Sequence, residues 1–162
     1  MQVEYINPFI ESVYELFGTM LDAKVQRGTV GVSKGGSNPR DIMALIGLSG
    51  AARGMVALAF PVDTALKVVN RLLDSDVTIV DDTVSDAIAE VVNIVAGSAK
   101  ARLNNGEGPL IDLSLPTIVR GNSFSVEYPS KSMWLDVLFD SDLGEFTMRV
   151  TFEMEATKGN HS

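Results

Sequence analysis

The chain has 162 residues, of which 46% are hydrophobic, and it carries no cysteine and a formal net charge of −8 at pH 7. This length and apolar content suit one domain, or two small fused halves, with an ordinary buried core. The acidic balance excludes a nucleic-acid binder, which needs a basic surface, and disfavours adhesion to anionic lipid. Without cysteine there is no disulfide framework, thiolate chemistry or zinc–cysteine site.

The only histidine, His161, lies in the polar tail 157–162, where a catalytic role is not expected. Histidine triads and multi-histidine metal sites are therefore excluded from the candidate functions. The chain does not open on a basic segment followed by an apolar one, and no apolar run is long enough to span a bilayer. We therefore expect a cytoplasmic protein with no membrane segment.

The first half of the chain predicts two helices separated by strands. The first helix spans Asn7–Leu21, with Asn7 as its cap and Pro8 at its first position. The glycine-rich loop at 33–40 lacks the spacing of a phosphate-binding loop and is interpreted as a solvated turn. The other predicted elements are strands at 25–31, 42–48 and 54–60, the last two forming a hairpin across SGAAR and the third ending at Pro61, and a helix at 63–73 capped by Asp63 or Thr64 with Leu66, Val69, Leu72 and Leu73 as apolar positions.

The longest predicted helix spans Asp82–Asn104, and Asp82 or Thr83 is placed to cap it. At about 100° per residue, one face is apolar and must be buried. That face consists of Val84, Ile88, Val91, Val92 and Val95. The opposite face carries Asp86, Glu90, Asn93, Gly97 and Lys100, with the small residues Ala87, Ala89, Ala96 and Ser98 around them.

The last third predicts a polar loop and several strands. These elements are a loop at 104–109, a strand at 115–120, an extended piece at 123–128, and a hairpin of strands 134–139 and 146–153. The pattern Glu11-x-x-Tyr14-x-x-x-Gly18 on the first helix parallels Glu90-x-x-Asn93-x-x-x-Gly97 on the long one. The simplest account is a helix-plus-three-strands unit used twice.

The two units would span about 7–60 and 84–153, with the helix at 63–73 inserted between them. Such units can each supply half of one sheet covered by helices on one face. The sequence therefore predicts an α+β fold with one mixed or antiparallel sheet.

Glu90 and Asn93 lie three residues apart and are neighbours on the exposed face of the long helix. Glu-x-x-Asn alone is a weak motif, because an exposed glutamate usually serves solubility. Neither residue is a candidate nucleophile, and no carboxylate cluster marks a metal site. A carboxamide can, however, hold a water by donating and accepting hydrogen bonds, and positioning water is a component of phosphoryl transfer.

The longer pattern, in the segment IAEVVNIVAGSAKARL, resembles the signature helix of the CheC/CheX family of bacterial chemotaxis phosphatases. The segments ESVYELFGTML, LIGLSGAARGMVALAFPVDTALKVVNRLL and LPTIVRG are similar to that family as well, so the resemblance covers nearly the whole chain. It implies a CheC-like duplicated fold in a single domain over 1–156. Two-site CheC proteins carry Glu-x-x-Asn on both helices. Because Tyr14 stands in the first copy, the resemblance is to the single-site CheX type.

The resemblance implies a phosphatase that acts on the aspartyl phosphate of phosphorylated CheY-type response regulators. Asn93 would position the attacking water and Glu90 would pair with the regulator's lysine. Asp86, Gly97 and Lys100 would complete the partner-binding face. Mg²⁺ is expected in the regulator, and no cofactor is expected on this chain.

The CheX type also implies a homodimer formed by strand exchange or sheet continuation. The strand at 115–120 and the hairpin strands near Trp134 and Phe146 are apolar enough to need cover. An alternative function stays open at this point: a non-catalytic module that binds a receiver domain or serves as a dimeric scaffold.

Overall fold

The computed structural model describes residues 3–33, 41–104, 110–121 and 134–154. Most of the predicted loops at 33–40 and 104–109, the extended piece at 123–128 and the tail at 157–162 lie outside these residues. The helices and strands are α1 (Val3–Thr19), β1 (Val25–Ser33), β2 (Asp41–Gly50), β3 (Ala52–Pro61), α2 (Val62–Leu73), α3 (Asp82–Leu103), β4 (Ile111–Leu113), β5 (Thr117–Arg120), β6 (Trp134–Ser141) and β7 (Phe146–Met154).

The strands form one sheet in the order β1-β6-β7-β3-β2-β4, and β5 also pairs with β2. Every pairing between described strands is antiparallel. Exchanging β1 with β4/β5, β2 with β6, and β3 with β7 gives the same strand order read from the opposite edge of the sheet. This symmetry is the one expected of a duplicated helix-plus-three-strands unit, and the predicted α+β fold is confirmed.

The three described helices pack on one face of this sheet. Side chains of alternate β2 residues, Ile42, Ala44, Ile46 and Leu48, share a buried core with residues from all three helices. The intervening residues Met43 and Leu45 belong to a second small cluster that contains strand residues only. This alternation is the period-two pattern of a strand whose two faces meet different surroundings.

A cluster of four phenylalanines joins the helices to the centre of the sheet. The ring of Phe146 stacks on Phe17 and Phe60 at centroid distances of 5.1 Å, and on Phe139 at 4.9 Å. Because Phe17 comes from α1 and the other rings come from β3, β6 and β7, this cluster fixes the position of α1 on the sheet.

Two helix starts differ from the prediction. α1 begins at Val3 instead of Asn7, so Pro8 is inside the helix and not at its first position. Only the first four N–H groups of a helix have no intrahelical acceptor, so Pro8, the sixth residue of α1, removes one hydrogen bond to the carbonyl four residues earlier. None of the described helices combines the length and apolar content needed to cross a bilayer.

α2 follows Pro61 directly and has no side-chain cap, so the predicted cap at Asp63 or Thr64 is wrong. Thr64 is buried, and its side chain packs against the backbone of Gly144 in the β6–β7 turn. The apolar face is also rotated from the predicted one: Val69 is buried, but Leu73 is 47% exposed. Leu66 and Leu72 are partly buried against the core.

The strands predicted within the described residues are present, with three differences. β4 was not predicted, and the strand expected at 115–120 begins only at Thr117. The hairpin of β6 and β7 lies inside the sheet, between β1 and β3. The expectation that these hairpin strands need cover is therefore wrong, because neighbouring strands already flank both of them.

Candidate functional site

α3 is fixed at both ends. At its start the Asp81 carboxylate accepts a hydrogen bond from the Val84 N–H at 3.0 Å, so the cap lies one residue before the predicted Asp82 or Thr83. At its end the Asn104 side chain donates to the Ile111 carbonyl at 3.1 Å and accepts from the Ile111 N–H at 3.0 Å. The helix is therefore tied directly to β4.

The inner face of α3 confirms the periodicity argument. All five residues predicted to be buried, Val84, Ile88, Val91, Val92 and Val95, have no exposed surface. Ala87 and Ala96 were expected around the outward face but are also buried. Their burial follows from the neighbours of α3, since α1 packs along one flank and β4 along the other.

The outer face of α3 carries a stripe of four exposed residues: Asp86, Glu90, Asn93 and Gly97. Their spacing of three or four residues brings them onto one face of the helix. The side chains of Glu90 and Asn93 make no hydrogen bond or ion pair with another residue in the described part of the chain. A carboxylate and a carboxamide are therefore free to contact a second molecule.

Lys100 lies at the end of this stripe but is engaged. Its Nζ is 3.7 Å from Oδ1 of Asp112 on β4, and its side chain is 40% exposed. A matching pair at the other end of α3 joins Asp82 Oδ1 to Arg120 Nη2 at 3.7 Å. The partner-binding role predicted for Lys100 would therefore compete with an intramolecular ion pair.

Gly97 has no role in the packing of the fold. A Cβ built on this exposed residue meets nothing within 4 Å. A glycine inside a helix is destabilising by roughly 0.5–1 kcal/mol relative to alanine. Its effect at this position is to keep the surface beside Asn93 low.

The equivalent residues of α1 are engaged inside the molecule. The Tyr14 hydroxyl accepts a hydrogen bond from the Arg27 N–H at 3.1 Å, and its ring packs edge-on against Phe139. Glu11 forms an ion pair with Arg102 of α3 at 3.4 Å, and Glu15 pairs with the same guanidinium at 2.7 Å. Sequence reasoning missed this link, although the i, i+4 spacing of the two glutamates is a signal for a shared cation.

The exposed stripe on α3 has too few reactive side chains to catalyse a reaction without groups from another molecule. No group of three or more potential metal-binding side chains occurs in residues 3–33, 41–104, 110–121 and 134–154. Glu90 and Asn93 offer one negative charge and one donor–acceptor pair on a rigid, low surface. Such a surface can complete a site on another molecule.

The fold belongs to the CheC-like class of α+β proteins. A CheC-like superfamily protein from Shewanella sp. PV-4 is 27% identical, with a TM-score of 0.85 over 94% of this chain and 99% of that chain. The chemotaxis protein CheX from Desulfovibrio desulfuricans is 26% identical, with a TM-score of 0.82 over 93% of this chain and 99% of that chain.

Sequence comparison narrows this class to a family. The sequence model described as "Chemotaxis phosphatase CheX" matches residues 42–140, a segment that contains all of α3. The CheY-P phosphatase CheX of Thermotoga maritima is 27% identical over 128 residues, which are 78% of this chain and 82% of that relative. The chain belongs to the CheX family of chemotaxis phosphatases.

Proposed function

We propose that this protein accelerates hydrolysis of the aspartyl phosphate on a phosphorylated CheY-type receiver domain. Family membership and a relative named CheY-P phosphatase CheX support this activity. The observation that carries the proposal is the pair of exposed, unengaged side chains, Glu90 and Asn93, on a helix held firmly at both ends.

In the proposed reaction the receiver domain supplies the aspartyl phosphate, a bound Mg²⁺ and a lysine. The carboxamide of Asn93 holds a water in line with the bond between phosphorus and the aspartyl oxygen. The water oxygen bonds to phosphorus as that P–O bond breaks, which leaves a free carboxylate and inorganic phosphate. The lost water proton passes to phosphate or solvent.

Glu90 has a positioning role in this proposal. Its carboxylate pairs with the receiver's lysine and fixes the helix in register, so that Asn93 reaches the phosphorus. The gain in rate comes from orientation, because most of the groups that stabilise charge belong to the receiver. No metal on this chain is required, since Mg²⁺ is bound by the receiver.

The test is phosphate release from a purified receiver domain phosphorylated by a small-molecule phosphodonor. A substoichiometric amount of this protein should release phosphate over many turnovers. The alternative, a non-catalytic receiver-binding or scaffold module, would bind the receiver without turning it over. Phosphate release that stays at the receiver's own rate would overturn the proposal.

We also propose a homodimer formed by strand addition at an edge of the sheet. Among the described strands, β1 has a single neighbour, β6, and its Val30 and Val32 are 42% and 66% exposed. An exposed apolar edge is a hazard for a folded protein unless another chain covers it. Sedimentation equilibrium at micromolar concentration should give twice the chain mass, and a monomer mass would contradict the proposal.

The proposed substrate is a cytoplasmic signalling protein. The same compartment is therefore proposed for this chain. Cell fractionation with an antibody against the protein would check it, and recovery in another compartment would contradict it.

A further inference from the structure

Leu115 is 88% exposed, more than any other large apolar residue of the described chain. It lies in an interruption between β4 and β5. Leu113 pairs with Leu48 and Thr117 pairs with Leu45, so three residues on this edge face two residues of β2. One extra residue in a strand is a β-bulge, a device that redirects a side chain and often occurs at sheet edges beside functional sites.

The bulge holds Leu115 in place through its neighbour. The Ser114 N–H donates to the Gly47 carbonyl at 3.0 Å, and the Ser114 hydroxyl accepts from the Gly47 N–H at 2.8 Å. The same hydroxyl lies 3.1 Å from the carbonyl oxygen of Leu115. The backbone on the N-terminal side of Leu115 is therefore hydrogen-bonded to β2, so the outward position of Leu115 is built into the edge.

Two ion pairs show where Leu115 lies along α3. Asp82 pairs with Arg120 and Lys100 pairs with Asp112, so the edge runs antiparallel to the helix. Between these pairs, the helix from Asp82 to Lys100 is roughly 27 Å long at 1.5 Å per residue. The edge from Asp112 to Arg120 has about the same length at 3.3 Å per residue. Leu115 comes about 10 Å from Asp112 on this scale. About 10 Å back along the helix from Lys100 lies Asn93, so Leu115 and Asn93 are at about the same level.

The same ion pairs show which flank of the helix faces Leu115. At 100° per residue, Asp82 and Lys100 both lie about 20° from Asn93, in the same direction. Ala89 and Ala96 lie further round in that direction, and neither extends beyond a methyl group. Ala96 is fully buried and Ala89 is partly buried, so no long side chain of α3 stands between Asn93 and the β4–β5 edge.

We propose that Leu115 is an apolar anchor in the docking surface for the phosphorylated receiver domain, placed beside Asn93 by the β4–β5 bulge. This inference rests on the proposed function. Asn93 can reach phosphorus only if the receiver covers the outer face of α3, and the two ion pairs place Leu115 level with Asn93 on the adjoining edge. A second copy of this chain is a less suitable occupant, because strands of three and four residues make this edge a poor template for strand addition.

The test measures binding separately from turnover. The probe is a CheY-type receiver domain loaded with beryllofluoride and Mg²⁺, titrated by calorimetry against wild type, Leu115→Ser and Leu115→Met. The serine variant should bind about 10-fold more weakly, the scale of losing one buried leucine contact, while methionine should restore most of the affinity. The kcat of Leu115→Ser at saturating phosphorylated receiver should stay within about twofold of wild type, because Leu115 does not touch the reacting atoms.

Leu110→Ser is the matched control. Leu110 is 65% exposed and lies near the C-terminal end of α3, outside the surface beside Asn93, so its replacement should leave affinity unchanged. Wild-type affinity in Leu115→Ser would overturn the inference. A weaker affinity that accompanies loss of self-association in sedimentation would also overturn it, because Leu115 would then be a contact between copies.

The two proposals fail in different ways. If the wild-type protein binds the loaded receiver without releasing phosphate, the phosphatase proposal fails, and the Leu115 titration still decides the anchor. If the wild-type protein does not bind the loaded receiver, both proposals fail.

Discussion

Asn93 and Tyr14 occupy equivalent positions on α3 and α1, but only the tyrosine is engaged within the molecule. Its hydroxyl accepts from the backbone of β1 and its ring packs on Phe139. The nearby Glu11 is likewise paired with Arg102. Tyr14 and Glu11 therefore stabilise the fold, whereas the side chains of Glu90 and Asn93 remain available to a partner. This difference supports one site per chain.

The absence of a side chain at Gly97 is predicted to let the receiver approach the outer face of α3 closely. Gly97→Leu should weaken binding of the phosphorylated receiver and raise KM by about 10-fold or more, because a side chain would stand where the partner must approach. It should not destabilise the fold, since the position is open and leucine is a better helix former than glycine.

Gly18→Leu is the control for Gly97→Leu. Gly18 is equally open and exposed on α1, so its replacement should leave KM unchanged. Steady-state phosphate release and thermal melts of both variants provide the measurements. Equal KM values for the two variants would contradict a role for the low surface at Gly97.

Glu90 gives a prediction about salt. Glu90→Ala should raise KM by roughly 3- to 10-fold at low ionic strength and make KM less sensitive to added salt, because a charge pair across the interface is lost. Glu145→Ala, at an exposed residue in the β6–β7 turn, should retain the wild-type salt dependence. A wild-type KM and salt response in Glu90→Ala would remove this residue from the site.

At the scale of the element, α3 was the most predictable part of the chain. Its length and its inner face follow from a repeated apolar spacing, and burial of five predicted positions confirms them. The cap was misplaced by one residue, because Asp81, Asp82 and Thr83 can all accept a helical N–H. Only the chain direction entering the helix, set by the tertiary fold, selects among them.

Asp81→Ala tests that cap. Loss of the hydrogen bond from the Val84 N–H should lower the free energy of unfolding by about 1 kcal/mol, as judged by the urea midpoint. Asp82→Ala removes a side chain that is 98% exposed and should change the midpoint much less. The assignment is wrong if Asp82→Ala proves the more damaging of the two.

The sheet was less predictable than its strands. Short apolar segments bounded by turn residues indicated most strands, but β4 has three residues, too few for such a segment to be recognised. Several neighbours in the sheet are distant in sequence, as β1 is paired with β6 and β3 with β7. Such pairings depend on how two half-sheets join, which local spacing does not encode. The bulge at Leu115 could not be predicted from the sequence either, because it depends on three edge residues lying opposite two residues of β2.

At the scale of the whole molecule, the phenylalanine cluster holds α1 against the duplicated sheet. Phe146→Ala would remove the ring that stacks on Phe17, Phe60 and Phe139. We expect a loss of about 3–5 kcal/mol in the free energy of unfolding, measured by urea denaturation. That is a large share of the roughly 5–15 kcal/mol that stabilises a typical domain. A loss below about 1 kcal/mol would show that the cluster is not central to stability.

The candidate site was readable from the sequence because it is local. Four exposed residues on one helix follow from helical spacing alone, and the structure confirms their exposure. The tie between Lys100 and Asp112 was not readable, because it joins α3 to a strand beyond a loop. The chemical roles of Glu90 and Asn93 remain predictions.

The most direct test of these roles is phosphate release by Asn93→Ala. Alanine removes the carboxamide proposed to hold the attacking water, and it favours the helix more than asparagine does, so the variant should fold normally. With phosphorylated receiver in excess, its turnover should fall by roughly one to three orders of magnitude, while binding of the beryllofluoride-loaded receiver persists. A correctly folded Asn93→Ala protein that releases phosphate at the wild-type rate would contradict the account.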